Sequence, residues 1–160
     1  MVNIQEGTEE SVLIVALYLA ISGEIFLPLV ISNKWRNPCW RIPGGGTDLG
    51  ETSTKAAYRE LYEETGLKAK ELHHTATISK KSWGFTNGSH RQFVYVTHVD
   101  DISTLLESSL DGDEKLTVKL FEIREVTEYL KNNQNKLDGH QVLKIHETIL
   151  ESVLRKLDFL

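Results

Sequence analysis

The residues with the clearest chemical potential are three carboxylates, Glu60, Glu63 and Glu64. If their segment is helical, at 3.6 residues per turn they fall within an arc of about 100°, so three negative charges share one face. Crowded carboxylates raise one another's pKa and destabilise a bare helix, and a divalent cation relieves both effects. Magnesium is the economical choice, with manganese (Mn2+) an open alternative: it prefers oxygen ligands, takes few carboxylates from protein, and completes its shell with water and substrate phosphate. Arg59 stands beside Glu60 and four residues before Glu63, where it can orient a carboxylate as well as offset its charge. Upstream, Pro43 leads into Gly44, Gly45 and Gly46, a loop whose backbone can approach a ligand closely. Ala56 and Ala57 lie near the carboxylate face, and their small side chains leave room for that loop to pack over the helix. Loop and helix together would form one site for an anionic small molecule.

The spacing is more specific than the composition. From Gly45 to Leu67 the chain reads GGTDLGETSTKAAYRELYEETGL. This matches G-x5-E-x7-R-E-U-x-E-E-x-G-U, with U a bulky aliphatic residue, at Gly45, Glu51, Arg59, Glu60, Leu61, Glu63, Glu64, Gly66 and Leu67. The segment resembles the Nudix box, and Trp40, Pro43 and Gly44 before it are also similar to that family. The resemblance implies an α/β fold, an α/β/α sandwich with a mixed β-sheet. It also implies a metal-dependent hydrolase that cleaves the phosphoanhydride of a nucleoside diphosphate linked to another moiety, or of a nucleoside triphosphate. By the same resemblance Glu60, Glu63, Glu64 and the carbonyl of Gly44 are metal ligands, Arg59 orients carboxylates, and Glu60 is a candidate for activating water. Catalysis would thus rest on Arg59, Glu60, Glu63 and Glu64, with water attacking phosphorus. Many members add an acidic residue after the box, and here Asp113 or Glu114 stands at a suitable distance, Glu114 slightly ahead. The proline that marks ADP-ribose hydrolases is missing, because residues 68–160 contain none.

Substrate contacts are expected from Gly45 and Gly46, and from Trp83, Phe85 and Arg91, which could stack on a base or hold a phosphate. The plainer alternative for the last three is ordinary loop aromatics and a surface cation. Trp35, Arg36 and Trp40 precede the glycine loop and invite the same idea, although Trp40 reads better as packing beneath it. His73, His74, His90, His98, His140 and His146 lack a compact zinc spacing and read as surface or core residues. Tyr58 and Tyr62 continue the apolar side of the box helix and could be covered by another element or by a second subunit, which would make a homodimer.

The elements that must hold these residues follow from local pattern. Val12 to Ile21 and Glu24 to Ser32, rich in Val, Ile, Leu and Phe, form a hairpin across Ser22-Gly23, with Pro28 assigning the second strand to an edge or bulge. A helix runs from Ser53 to Thr65, with Thr52 or Ser53 as N-cap and Gly66 as the stop. Strands are expected at Leu72 to Ile78, Gln92 to Val99 and Leu116 to Ile123, and a short helix near Val126 to Lys131. Val142, Ile145, Ile149, Val153 and Leu157 line one stripe of a last helix over Gln141 to Leu157, which should cover the sheet.

The totals bound the function. One Nudix-type domain over 1–160, with residues 1–10 as a flexible leader, fits a chain of 160 residues and 40% apolar content. A net charge of -5 has the wrong sign for gripping nucleic acid by its phosphates, so the expected partner is a small nucleotide-type molecule and no stable nucleic-acid complex. The longest apolar run is about half a membrane span, and the acidic start lacks a secretory pattern. Lone Cys39 suits a reducing, cytoplasmic setting. A catalytically inactive Nudix-fold binding or regulatory module is the alternative, and the intact box argues against it.

Overall fold

In a computed structural model of the protein the described residues are 8–35, 38–81, 89–133, 145, 147 and 148. The spine is β1, Thr8–Leu19. Its side chains alternate: Val12, Ile14 and Ala16 enter one apolar cluster, and Leu13, Val15 and Leu17 enter another on the opposite face. The other strands are β2 (Ile25–Ser32), β3 (Gly44–Gly46), β4 (His73–Lys81), β5 (Ser89–His98), β6 (Ser108–Asp111) and β7 (Glu114–Glu122). They form one sheet in the order β4-β5-β1-β2-β7-β6, with β3 pairing β1 off that path. β1 runs parallel to β5 from Thr8↔Ser89 to Leu17↔His98, while every other pairing between these strands is antiparallel. The sheet is therefore mixed.

Helix α1, Ser53–Thr65, buries Ala56, Ala57 and Leu61 on the face of Val12 and Ile14. Helix α2, Ile123–Asn132, buries Val126 and Leu130 on the other, together with Ile145. Helices on both faces make the expected α/β/α sandwich. Ile145, Glu147 and Thr148 are helical, and the rest of the helix expected over 141–157 lies outside the described residues. None of the described helices is long and apolar enough to cross a membrane.

The feature that creates the site is a wedge. β1 and β2 pair only at Tyr18↔Phe26 and Leu19↔Ile25, then part. Residues 41–46 fill the opening: Arg41 and Val30 exchange two hydrogen bonds of 2.8 Å, Ile14 N–H donates to the Pro43 carbonyl, and Gly44–Gly46 continue along β1. Pro28 belongs here too. Val30 turns its N–H away from β7 toward Arg41. By the two-residue period the Pro28 nitrogen faces the same opening, so no ladder bond is lost although β2 lies inside the sheet.

β1 begins at Thr8, earlier than the expected Val12 and inside the expected leader 1–10, because its polar start finds polar partners: Ser11 Oγ lies 2.7 Å from His90 Nε2, and Arg91 donates to Glu10 at 2.8 Å. β3 and β6 were not expected; at three and four residues they are too short to show an apolar period.

Candidate active site at the glycine wedge and the carboxylate helix

Local chemistry fixes α1. Thr52 Oγ1 accepts from Lys55 N–H at 3.2 Å as N-cap, and Gly66, with φ of 78°, closes the helix by donating to the Tyr62 carbonyl. A side chain at Gly66 would also meet the Thr104 carbonyl. With both ends set, Arg59 projects over the loop. Its Nε and Nη2 donate to the two oxygens of Glu51 at 2.8 and 2.9 Å, Nη1 reaches Glu60 at 2.9 Å and Glu63 at 3.2 Å, and Nη2 also reaches the Gly46 carbonyl at 3.0 Å. This bidentate pairing holds the Glu51 carboxyl down at about 2 and raises the affinity of Arg59 for its proton.

Glu64 lies deeper. Gly44 N–H donates to its Oε1 at 2.7 Å, yet burial pushes its pKa up to about 8, and the charges of Glu60, Glu114 and Glu63 add to the rise. Burial also raises Glu60, against the pull of Arg59. The loop fits over these carboxylates only because residue 45 is glycine: a Cβ there would stand 2.5 Å from the Glu60 carboxyl carbon. Oxygen donors crowded at the cost of raised proton affinity are the chemistry a hard divalent cation satisfies, so the donor set fits such an ion. The arms are turned to Arg59 and Gly44, and among the described residues no three acidic, histidine or cysteine side chains converge on one point.

A cavity of 810 Å³ opens from Gly44–Gly46 and Glu64 through the wedge. Leu13, Val30, Ile42, Leu130 and Ile145 give it an apolar floor, and Trp35, Arg41, His90 and Gln92 are among its other lining residues.

Comparison with known proteins places the chain in a family. The NUDIX domain family matches residues 12–142. The chain belongs to the Nudix family. An RNA pyrophosphohydrolase of Shewanella sp. (strain MR-7) is 52% identical over 44 residues, 28% of this chain and 24% of that protein. One from Shewanella baltica (strain OS155 / ATCC BAA-1091) is 50% identical over the same shares. The match thus spans about a quarter of the length of these curated relatives. Among solved structures, the NUDIX domain of Shewanella oneidensis NrtR complexed with ADP ribose is similar at TM-score 0.63 and 16% identity, over 90% of this chain and 87% of that one. A MutT/nudix family protein from Enterococcus faecalis gives 0.58 and 19%, over 72% and 44%. At such identity these structures show the Nudix fold alone.

Within this Nudix site, Arg59 bonds Glu60, Glu63 and the Gly46 carbonyl and Glu64 meets Gly44, so these residues are neighbours, without three described carboxylates converging on one point. Gly44 meets Glu64 through its N–H. Glu114 acts on Glu64 electrostatically, whereas Asp113 is 89% exposed and pairs with Lys34 at 2.8 Å. Arg91 departs from expectation: it pairs with Glu10 and lies over Phe93, on the α1 face, and does not line the cavity, which His90 and Gln92 of the same strand do. Alternation along β5 separates them. Trp83, Phe85 and Arg36 lie outside the described residues. Trp40 packs edge-on against Phe121, as its packing role required. Tyr58 and Tyr62 are part exposed but have partners within the chain, the Lys70 carbonyl and Lys68. Arg41 and His90 were missed as cavity residues, for neither stands in the motif and only the wedge brings them there.

Proposed function

We propose that this chain is a metal-dependent pyrophosphohydrolase that uses magnesium, with manganese able to substitute, to cleave the phosphoanhydride of a nucleoside diphosphate linked to another moiety or of a nucleoside triphosphate. The observation that carries this reading is the half-buried Glu64, crowded by the charges of Glu60, Glu63 and Glu114 and lining a nucleotide-sized cavity. Glu60, Glu63 and Glu64 would hold the ion, with Glu114 as the fourth carboxylate and the Gly44 carbonyl assisting. When bound, the ion supplies charge neutralisation for the phosphates and a more acidic water. The protein supplies the rest. Arg59 fixes Glu60 and Glu63 in one arrangement, the loop at Gly45 and Gly46 takes the substrate backbone-on, and burial gives Glu60 the raised proton affinity suited to a base. The apolar floor takes an uncharged planar group. A free, buried Cys39 accords with a cytoplasmic setting.

A second reading, a nucleotide-binding module without turnover, shares with the NrtR NUDIX domain similar in fold, which is complexed with ADP ribose, only the binding of a nucleotide-type molecule. A panel of dinucleotides, nucleotide sugars and nucleoside triphosphates, assayed for magnesium-dependent product release, separates the two. Glu63→Gln is expected to lower the rate by about 100-fold or more. Equal rates for wild type and Glu63→Gln would remove the metal role of Glu63. If nucleotides raise the melting temperature but none is cleaved, the binding module is right.

A further inference from the structure

Buried donors in proteins are nearly always paired, so one left without an acceptor asks for an explanation. Among the described residues, Arg41 Nε is the one buried side-chain nitrogen or oxygen with no hydrogen-bond partner. Its guanidinium lies over the Trp35 ring, 4.3 Å from the centroid, and both residues line the cavity. Among the described residues no side-chain hydrogen bond puts it there. The paired backbone bonds to Val30 and the stack on Trp35 do, so the guanidinium is braced while its Nε donor is unused.

The surroundings define what it meets. The acidic residues lining the cavity are Glu9, Glu10, Asp48, Glu51 and Glu64, and Arg41 is the only lysine or arginine among the described lining residues. Among the described lining residues an anionic ligand entering this space therefore has Arg41 as its cationic side chain to pair with. Arg41 stands three residues before Gly44, so their Cα atoms are at most about 11 Å apart. The guanidinium is thus within reach of a phosphate adjoining the one held at the carboxylates. The apolar floor adjoins Arg41 through Val30 and Ile42.

We propose that Arg41, braced by Trp35, is the substrate-anchoring residue of the nucleoside half: it takes an oxygen of the phosphate esterified to the nucleoside that lies over the apolar floor. This deepens the hydrolase reading and rests on it for the other half of the substrate. The ligand class is the nucleoside 5′-phosphate, and the guanidinium fork suits its paired oxygens better than an ammonium does.

The test is calorimetric binding, in chelator, of the four ribonucleoside 5′-monophosphates and their parent nucleosides to wild type, Arg41→Gln and Arg41→Lys. At least one monophosphate is expected to bind wild type about tenfold or more tightly than its nucleoside. Arg41→Gln is expected to erase that gap and leave nucleoside affinity unchanged; Arg41→Lys, which keeps the charge, is expected to retain part of it. Survival of the gap in Arg41→Gln would overturn the assignment. So would equal weakening of nucleoside and monophosphate, which would mean that Arg41 reads the base, or the lack of any gap in wild type. With metal removed, none of these outcomes depends on turnover: an inactive protein that shows the gap keeps the anchor, and an active one without it loses only the anchor.

Discussion

Arg59 distributes its donors over Glu51, Glu60, Glu63 and the Gly46 carbonyl, so a single guanidinium ties the helix, the loop and the acidic face together. Glu51 is the partner it grips with two bonds. Because that grip lowers the carboxyl from 4.5 to about 2, Glu51 contributes stability that is present above pH 4.5 and lost as pH falls toward 2. Glu51→Gln is expected to melt earlier than wild type at neutral pH, with the two melting curves merging as pH drops from 4.5 toward 2. Loss of the grip lets Arg59 drift, and kcat is expected to fall about 10–100-fold. A gap in melting temperature that stays constant down to the acid end would contradict the role given to Glu51. The carboxylate face and its arginine were legible in the sequence because helical spacing alone brings positions 59, 60, 63 and 64 together. The Arg59–Glu51 bond was not, since Glu51 lies before the helix and only the turn after Gly46 aims it. Arg41 was less visible still, for its meaning depends on Val30 and Trp35.

Elements were legible where their ends are local chemistry. The helix expected over Ser53 to Thr65 forms over those residues because an N-cap hydroxyl and a left-handed glycine are written into adjacent positions. Thr52→Ala is expected to cost about 1 kcal/mol in urea unfolding, with activity retained once folded, as the cap touches no carboxylate of the site. A cost near zero would mean that tertiary packing, not the cap, fixes where α1 starts. Strands were harder, because their ends depend on neighbours far along the chain. β1 reaches back to Thr8 through pairing with β5, and β3 exists only as a strip along β1. Pro28 marked an edge correctly in chemistry and wrongly in topology: β2 lies inside the sheet, yet its side at Pro28 faces the wedge.

At the scale of the whole molecule, the sheet separates two apolar clusters, one under α1 and one under α2 and Ile145. The wedge between β1 and β2 is where the two faces communicate. Glu64 arrives from the α1 side and Leu130 from the α2 side, and both line the same cavity. A substrate in it would be cleaved at one end and held by its nucleoside half at the other. The central claim is that Glu64, held at about 8 by burial and like charge, would release its proton to water on binding a divalent ion shared with its neighbours. The direct measurement is a titration of manganese into wild type and Glu64→Gln at about pH 8.5, followed by electron paramagnetic resonance of the free ion. Wild type is expected to take up the ion about tenfold or more tightly than Glu64→Gln, and to weaken as pH is lowered through the Glu64 titration. Equal affinity in the two proteins, with no dependence on pH, would contradict the claim.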